Sequence, residues 1–296
     1  MGLDITTIRY HLYLKKKGFD FQRVAMLGRQ KFYGINPGKL SSICRRFGYE
    51  MTIDQASNIL HDQDGYVEPF YSWLGATIIH SFDASPYEGA THIWDMNQVL
   101  PEDYRQNYDF VFDGGTLEHI FNYSSALREV MTLPDIGGVF LSATPADSFL
   151  GHGFYQFSPD IAFETISESN GYDLFGVYLI EDRINTKFYK VSPPGEKRGR
   201  TLASSAWPTL MCFSGQRTGK VPLKLIAQQP DYSEAWVSGA HEERSRAGWK
   251  EVVNSAFTWM PDRLRNSGAR QCRLFVSWIC GNSFWDRPTL TRVDDI

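Results

Sequence analysis

The stretch YDFVFDGGTLEH, running from Tyr108 to His119, decides how this chain reads. Tyr108 to Asp113 is a short, mostly apolar and aromatic run, which fits a buried strand. Gly114 and Gly115 follow it. Neither carries a Cβ, so the backbone there can turn tightly or come close to a ligand. The next periodic segment, Tyr123 to Leu133, sets Ala126, Leu127, Val130 and Met131 on one face and predicts a helix, with Asn122, Ser124 and Ser125 as polar starters. Gly137 and Gly138 break that helix, and VFLSA, Val139 to Ala143, is the next strand.

The same alternation extends outward on both sides. Arg23 to Gly28 reads as a strand entering a glycine turn. Ala76 to Asp83 and Thr91 to Asp95 are further strands, as are Phe175 to Ile180 and Thr209 to Phe213. Helices fall at 5–18, capped by Asp4 or Thr6 and stopped by Gly18, at one or two places in 37–62, and after Ser158-Pro159, a favoured helix start. Strands alternating with helices predict an α/β fold: a doubly wound, Rossmann-like, mostly parallel sheet with helices on both faces.

Residues 1–215 would form this domain, with 36–75 as a helical insertion that could cap it. The segment 182–207 is rich in Pro, Gly, Lys and Arg and reads as a long loop. Composition shifts near residue 216, so 216–296 reads as a C-terminal extension, with a linker over 217–240 and an amphipathic helix over 241–263. Its Trp236, Trp249, Trp259, Trp278 and Trp285 either pack a small subdomain or line a cleft or a subunit contact. A subunit contact there would make a homodimer.

Composition narrows the partners. The 296 residues carry 42% hydrophobic and 22% charged side chains and a net charge of −4, so a general nucleic-acid binder is not expected. No apolar run approaches the roughly 20 residues of a membrane span. The start lacks a signal-peptide layout, and Met1 to Thr6, which matches the bare myristoylation pattern, reads as a helix start. A cytoplasmic protein without a membrane partner is the expectation. Cys44, Cys212, Cys272 and Cys280 show no C-x-x-C spacing, which argues against a disulfide framework or a zinc site.

In a doubly wound sheet, ligands bind beyond the carboxyl ends of the strands. The candidate residues are therefore those that follow each strand. They are Leu27, Gly28 and Arg29; Asp83, with Ala84 beside it; Asp95 and Met96; and Asp113 and Gly114. Asp83 can accept from both hydroxyls of a ribose or cap a turn ahead of Ser85-Pro86. Asp95 can accept from an exocyclic amine, and Met96 can pack on a purine. The segment GHGFYQFSP, Gly151 to Pro159, places His152, Tyr155 and Gln156 on a loop above the sheet, as substrate contacts or as a packed connector.

The run from Tyr108 to His119, the following helix and the Gly137-Gly138 strand together resemble the central signature of class I S-adenosylmethionine (SAM) methyltransferases, type 11/12-like. The resemblance covers roughly residues 20–215. It implies a seven-stranded sheet with one reversed strand and SAM across the ends of the first four strands. Leu27, Gly28 and Arg29 would then lie by the amino-acid end of SAM, Asp83 and Ala84 by the ribose, Asp95 and Met96 by the adenine, and Asp113 and Gly114 by the methionine and reaction side. The first loop departs from the family, with Gly28 and Gly34 separated by RQKFY in place of G-x-G-x-G. Asp83 also lies farther from Gly28 than usual, and only Ala84 to Ala90 links it to the third strand.

On that reading the chain transfers a methyl group to an oxygen or nitrogen nucleophile of a small molecule or glycan-type metabolite. His119 and His152 are the candidate bases, with Tyr155 and Gln156 on the substrate. The other five histidines form no cluster, so no metal site is expected. The alternative is a catalytically inactive binding or scaffold protein on the same fold. A dehydrogenase fits less well, because the first turn lacks G-x-G-x-x-G.

Overall fold

The computed structural model describes residues 2–105, 107–182, 186–193, 203, 205, 207–219 and 290–296. Among these residues nine strands build one sheet: β1 (Arg23–Leu27), β2 (Ile78–Asp83), β3 (His92–Ile93), β4 (Tyr108–Asp113), β5 (Pro134–Asp147), β6 (Tyr172–Glu181), β7 (Phe188–Val191), β8 (Thr209–Arg217) and β9 (Leu290–Val293). Their order is β3-β2-β1-β4-β5-β8-β6-β7-β9. The first five neighbours pair in parallel. β8 runs antiparallel to both β5 and β6, and β7 antiparallel to β6 and β9.

This corrects the expected count of seven strands with one reversed. The first seven in order do hold one reversed strand, β8, but β7 and β9 add a further hairpin-like edge in which β7 is reversed too. The segment 182–207 was expected to be a loop, yet it contains β7. Phe188 and Val191 are buried, in opposite cores, while Tyr189 and Lys190 are not, so these four residues show no two-fold alternation and sit in a polar context. Its partner β9 lies at the far end of the chain, inside the region read as an extension. The linker at 220–240, the helix at 241–263, the five tryptophans, Cys272 and Cys280 lie outside the described residues.

The glycine pair at 137–138 does not end a helix. It lies inside β5, and α5 (Tyr123–Val130) stops before it. The β4–β5 register shifts at this point, between Tyr108 and Phe110. Gly137 has φ of 88°, and a Cβ on Gly138 would sit 2.6 Å from the Tyr108 carbonyl oxygen. The pair thus permits a bulge, which glycine accommodates where other residues would clash.

Helices cover both faces. α1 (Ile5–Lys16), α2 (Pro37–Arg46), α3 (Ile53–His61) and α4 (Glu68–Trp73) pack with Val24, Met26, Phe110, Phe112 and Leu141. α5 and α6 (Pro159–Thr165) pack with the alternate set, Ala25, Leu27, Val111 and Phe140. Successive residues of one strand thus enter opposite cores, as a two-fold side-chain period requires. Helix starts follow the residues at their caps. Asp4 accepts from the amides of Thr6 and Thr7 in a capping box, and Thr52 and Gln55 form another. Asn36 and Ser158 each precede a proline. α2 to α4 lie between β1 and β2 in the chain. Among the described residues no helix is long and apolar enough to cross a membrane.

Candidate functional site

The chain runs from β1 outward to β2 and β3, then returns to place β4 on the other side of β1. The switch in strand order therefore falls between β1 and β4. Leu27 is in register with both Phe82 and Asp113, so Gly28, Asp83 and Gly114 emerge at one level.

The space above the two glycines is lined by polar side chains. Gly28 has φ of 67° and its amide donates to the Phe82 carbonyl at 2.7 Å. The Leu27 carbonyl accepts from Thr116 Oγ1 at 2.7 Å and from Gln30 Nε2. A Cβ on Gly114 would lie 2.7 Å from Gln30 Oε1, and one on Gly28 would lie 3.0 Å from Thr116 Oγ1. Gln30 is buried, and its Oε1 has no hydrogen-bond partner. Arg29 turns away: its Nε pairs with Glu68 Oε1 at 2.6 Å, its guanidinium lies over the Tyr66 ring, and Nη1 donates to the Glu88 carbonyl at 3.0 Å.

The other residues singled out from the sequence differ in how available they are. Asp83 is half-buried and accepts from the Ser85 amide at 3.1 Å; Ala84 beside it is exposed. Asp95 is exposed and holds its own turn through the Asn97 amide and side chain, hydrogen bonds that lower its pKa. Met96 is 2% exposed and belongs to the core under β2 and β4. Asp113 is fully buried. It accepts from the amides of Thr116 and Leu117 and from the Ser142 hydroxyl at 2.7 Å, which fixes the turn after β4. Burial raises its pKa, and those donors act in the opposite direction.

That turn carries a side-chain cluster. Leu117–His119 is a single 3-10 turn. It aims Glu118 inward, fully buried, and leaves His119 exposed. His152 comes from the loop after β5. Its Nε2 lies 3.5 Å from Glu118 Oε1, and His119 Nε2 lies 3.9 Å from the same oxygen. The two imidazole centroids are 5.1 Å apart. Among the described residues neither oxygen of Glu118 has a hydrogen-bond partner, nor has His152 Nε2 or the buried Tyr123 hydroxyl. Burial, then the charge of Asp113, pushes the Glu118 carboxyl up. Burial pushes His119 and His152 down, so neutral imidazole is favoured at both.

The loop is clasped onto the turn through backbone. Phe154 and Tyr155 amides donate to the Glu118 carbonyl at 2.9 and 3.3 Å. The Tyr155 hydroxyl donates to the Phe121 carbonyl at 2.5 Å, and Gln156 Oε1 accepts from the Phe149 amide at 2.8 Å. A Cβ on Gly153 would lie 2.9 Å from the Glu118 carbonyl oxygen. Tyr155 and Gln156 thus hold the loop in this structure.

In sequence His119 and His152 are separate candidates with no signal that joins them, and Glu118, Gln30 and Tyr123 are not among the candidates. Glu118 was visible in the Leu-Glu-His triplet, but nothing in the sequence showed its carboxylate turned inward toward a distant histidine.

No family model matches the chain, and no curated protein matches it. Among solved structures, the chain is similar to several methyltransferases. The trans-methyltransferase CalH in complex with S-adenosylhomocysteine (SAH) shares 12% identity with a TM-score of 0.36, over 71% of this chain and 55% of that one. The chain thus spans about half the length of that protein. A Burkholderia thailandensis 1,6-didemethyltoxoflavin-N1-methyltransferase with SAH bound shares 11% over 73% of this chain and 78% of that one, with a TM-score of 0.37. A Haloferax volcanii putative methyltransferase, in complex with the Trm112 activator, is described by a match of 13% over 71% and 91% of the two chains, with a TM-score of 0.38.

Proposed function

We propose that this chain is a SAM-dependent methyltransferase acting on an oxygen or nitrogen nucleophile of a small molecule or glycan-type metabolite. One observation carries the reading. The β1–β4 switch point presents Gly28, Asp83 and Gly114 at one level, and the turn after β4 continues directly into the Glu118, His119 and His152 cluster.

The residues present fit a nucleoside bearing an amino-acid arm. Asp83 keeps carboxylate lone pairs free to accept from ribose hydroxyls. The Gln30 amide occupies the place of a ligand's polar group: its NH2 is held by the Leu27 carbonyl while its Oε1 has no partner. An ammonium taking over the Leu27 carbonyl would release a buried amide that is only half satisfied. When bound, SAM supplies an electrophilic methyl group on a good leaving group.

The protein's own part is then positioning and proton handling. Alignment of the acceptor supplies much of the rate in such a displacement. Asp113 fixes the turn, the turn fixes Glu118 and His119, and the clasped loop fixes His152. A neutral imidazole at this cluster can take the acceptor's proton. Tyr155 and Gln156 act here by holding the His152 loop.

A second reading, an inactive binding protein on this fold, is favoured by the same Gln30 and by Arg29, which is committed to Glu68. Thermal unfolding with and without saturating SAM separates the two. SAM should raise the Tm of the wild-type protein, and Asp83→Ala should abolish most of that rise. Equal shifts in both would remove Asp83 from the ribose site, and no shift in either supports the inactive reading.

A further inference from the structure

We propose that Glu118, His119 and His152 form a three-ligand site for one divalent first-row transition ion, of the zinc class, with further coordination positions left open. One ligand atom from each residue lies within 4.8 Å of the other two. Bonds of about 2.0–2.1 Å to a tetrahedral ion put neighbouring ligand atoms roughly 3.4 Å apart. The His152 to Glu118 distance of 3.5 Å already matches, and the His119 distance of 3.9 Å needs a small contraction.

The second, independent observation is the state of Glu118. Its side chain is fully buried, and neither oxygen has a hydrogen-bond partner. Among the described residues, the basic groups within 4.0 Å of its carboxylate are the two histidines. A buried carboxylate left without donors is costly, and bound cations are one of the few ways such a group is satisfied. His152 Nε2, buried and also without a partner, faces the same Glu118 oxygen.

The chemistry of the donors selects the ion. Two imidazoles and one carboxylate suit zinc, iron, cobalt or manganese; magnesium and calcium favour all-oxygen sets. Three protein ligands leave room for solvent or substrate, which distinguishes such a site from a closed structural one. The positioning is rigid. Two of the ligands are adjacent on a turn tied to Asp113, and the third sits on a loop hydrogen-bonded to the Glu118 carbonyl. Gly153 allows that approach, since any Cβ there would collide with Glu118. With the ion in place both imidazoles are ligands and no longer bases, and a hydroxyl touching the ion gives its proton to solvent more readily. The inference stands on the cluster and not on SAM.

The test uses full-length, chelator-treated, tag-free protein. Zinc chloride is titrated by calorimetry, and cobalt chloride by visible absorption. We expect one tight site per chain and cobalt d–d bands without the strong near-ultraviolet band of thiolate ligation. Glu118→Gln and His152→Asn should each weaken zinc by about tenfold or more. Circular dichroism confirms that the variants fold, and the wild-type cobalt spectrum decides the question should they not. Absence of zinc and cobalt binding by the wild type overturns the proposal. So does a thiolate-type cobalt spectrum, or an unchanged zinc affinity in folded Glu118→Gln.

Discussion

The carbonyl oxygen of Glu118 accepts from the Phe154 amide at 2.9 Å while the Glu118 side chain faces His152. One residue thus anchors the loop after β5 by its backbone and meets that loop's histidine with its carboxylate. Gly153, between His152 and Phe154, is what lets the two segments come so close.

Gly153→Ala tests that contact. A Cβ would lie 2.9 Å from the Glu118 carbonyl oxygen and 3.0 Å from its Cγ, so backbone has to move. The expected loss is about 1–3 kcal/mol, measured by urea unfolding, together with reduced methyl transfer. A variant as stable and as active as the wild type would show that the loop has room to spare.

Glu118→Leu separates stability from function. In chelator-treated protein the carboxyl is buried without hydrogen-bond partners, so an apolar side chain of similar volume should be neutral or stabilising, by about 1 kcal/mol or more. Methyl transfer should fall sharply in the same variant. Clear destabilisation in urea would mean that Glu118 has a stabilising partner.

Gln30→Ala should tighten SAH. It clears the space over Gly114 and removes an amide whose oxygen has no partner. Calorimetry on both proteins gives the comparison. Weaker binding in the variant would make Gln30 a direct ligand of the cofactor.

His11 predicts an acid dependence of stability. It is fully buried between the Thr7 carbonyl and the Tyr71 hydroxyl, and burial lowers its pKa from 6.5 to about 4. Between these values the unfolded chain is protonated at this position and the folded one is not. The contribution is therefore complete above pH 6.5 and lost as pH falls toward 4, amounting to up to about 3 kcal/mol. Urea midpoints at pH 7.5 and 4.5 should converge in His11→Gln relative to wild type. An equally steep loss in the variant would assign the acid sensitivity to other groups.

Legibility in the sequence followed how local each signal was. β4 runs from Tyr108 to Asp113 as its apolar run implied, and the Asp4 and Ser158 caps mark helix starts. The glycines at 137–138 were misleading because a bulge and a helix stop use the same residue. β7 was hidden because its ladder is completed by Leu290–Val293, a pairing that no local pattern encodes. At the site, Asp83 and His119 were visible as residues that follow strands. The Glu118–His152 contact was not, since it depends on where β5 ends and how its loop folds back. The burial of Met96 was not legible, because an exposed and a buried methionine after a short strand look alike in sequence.

The central claim is that the β1–β4 switch point holds SAM. Calorimetric titration of SAH into the wild-type protein tests it most directly. Saturable binding of one SAH per chain is expected, weakened about tenfold or more in Asp83→Ala by loss of charge-assisted hydrogen bonds to the ribose. Absence of heat and of any competition with SAM up to millimolar ligand would contradict it.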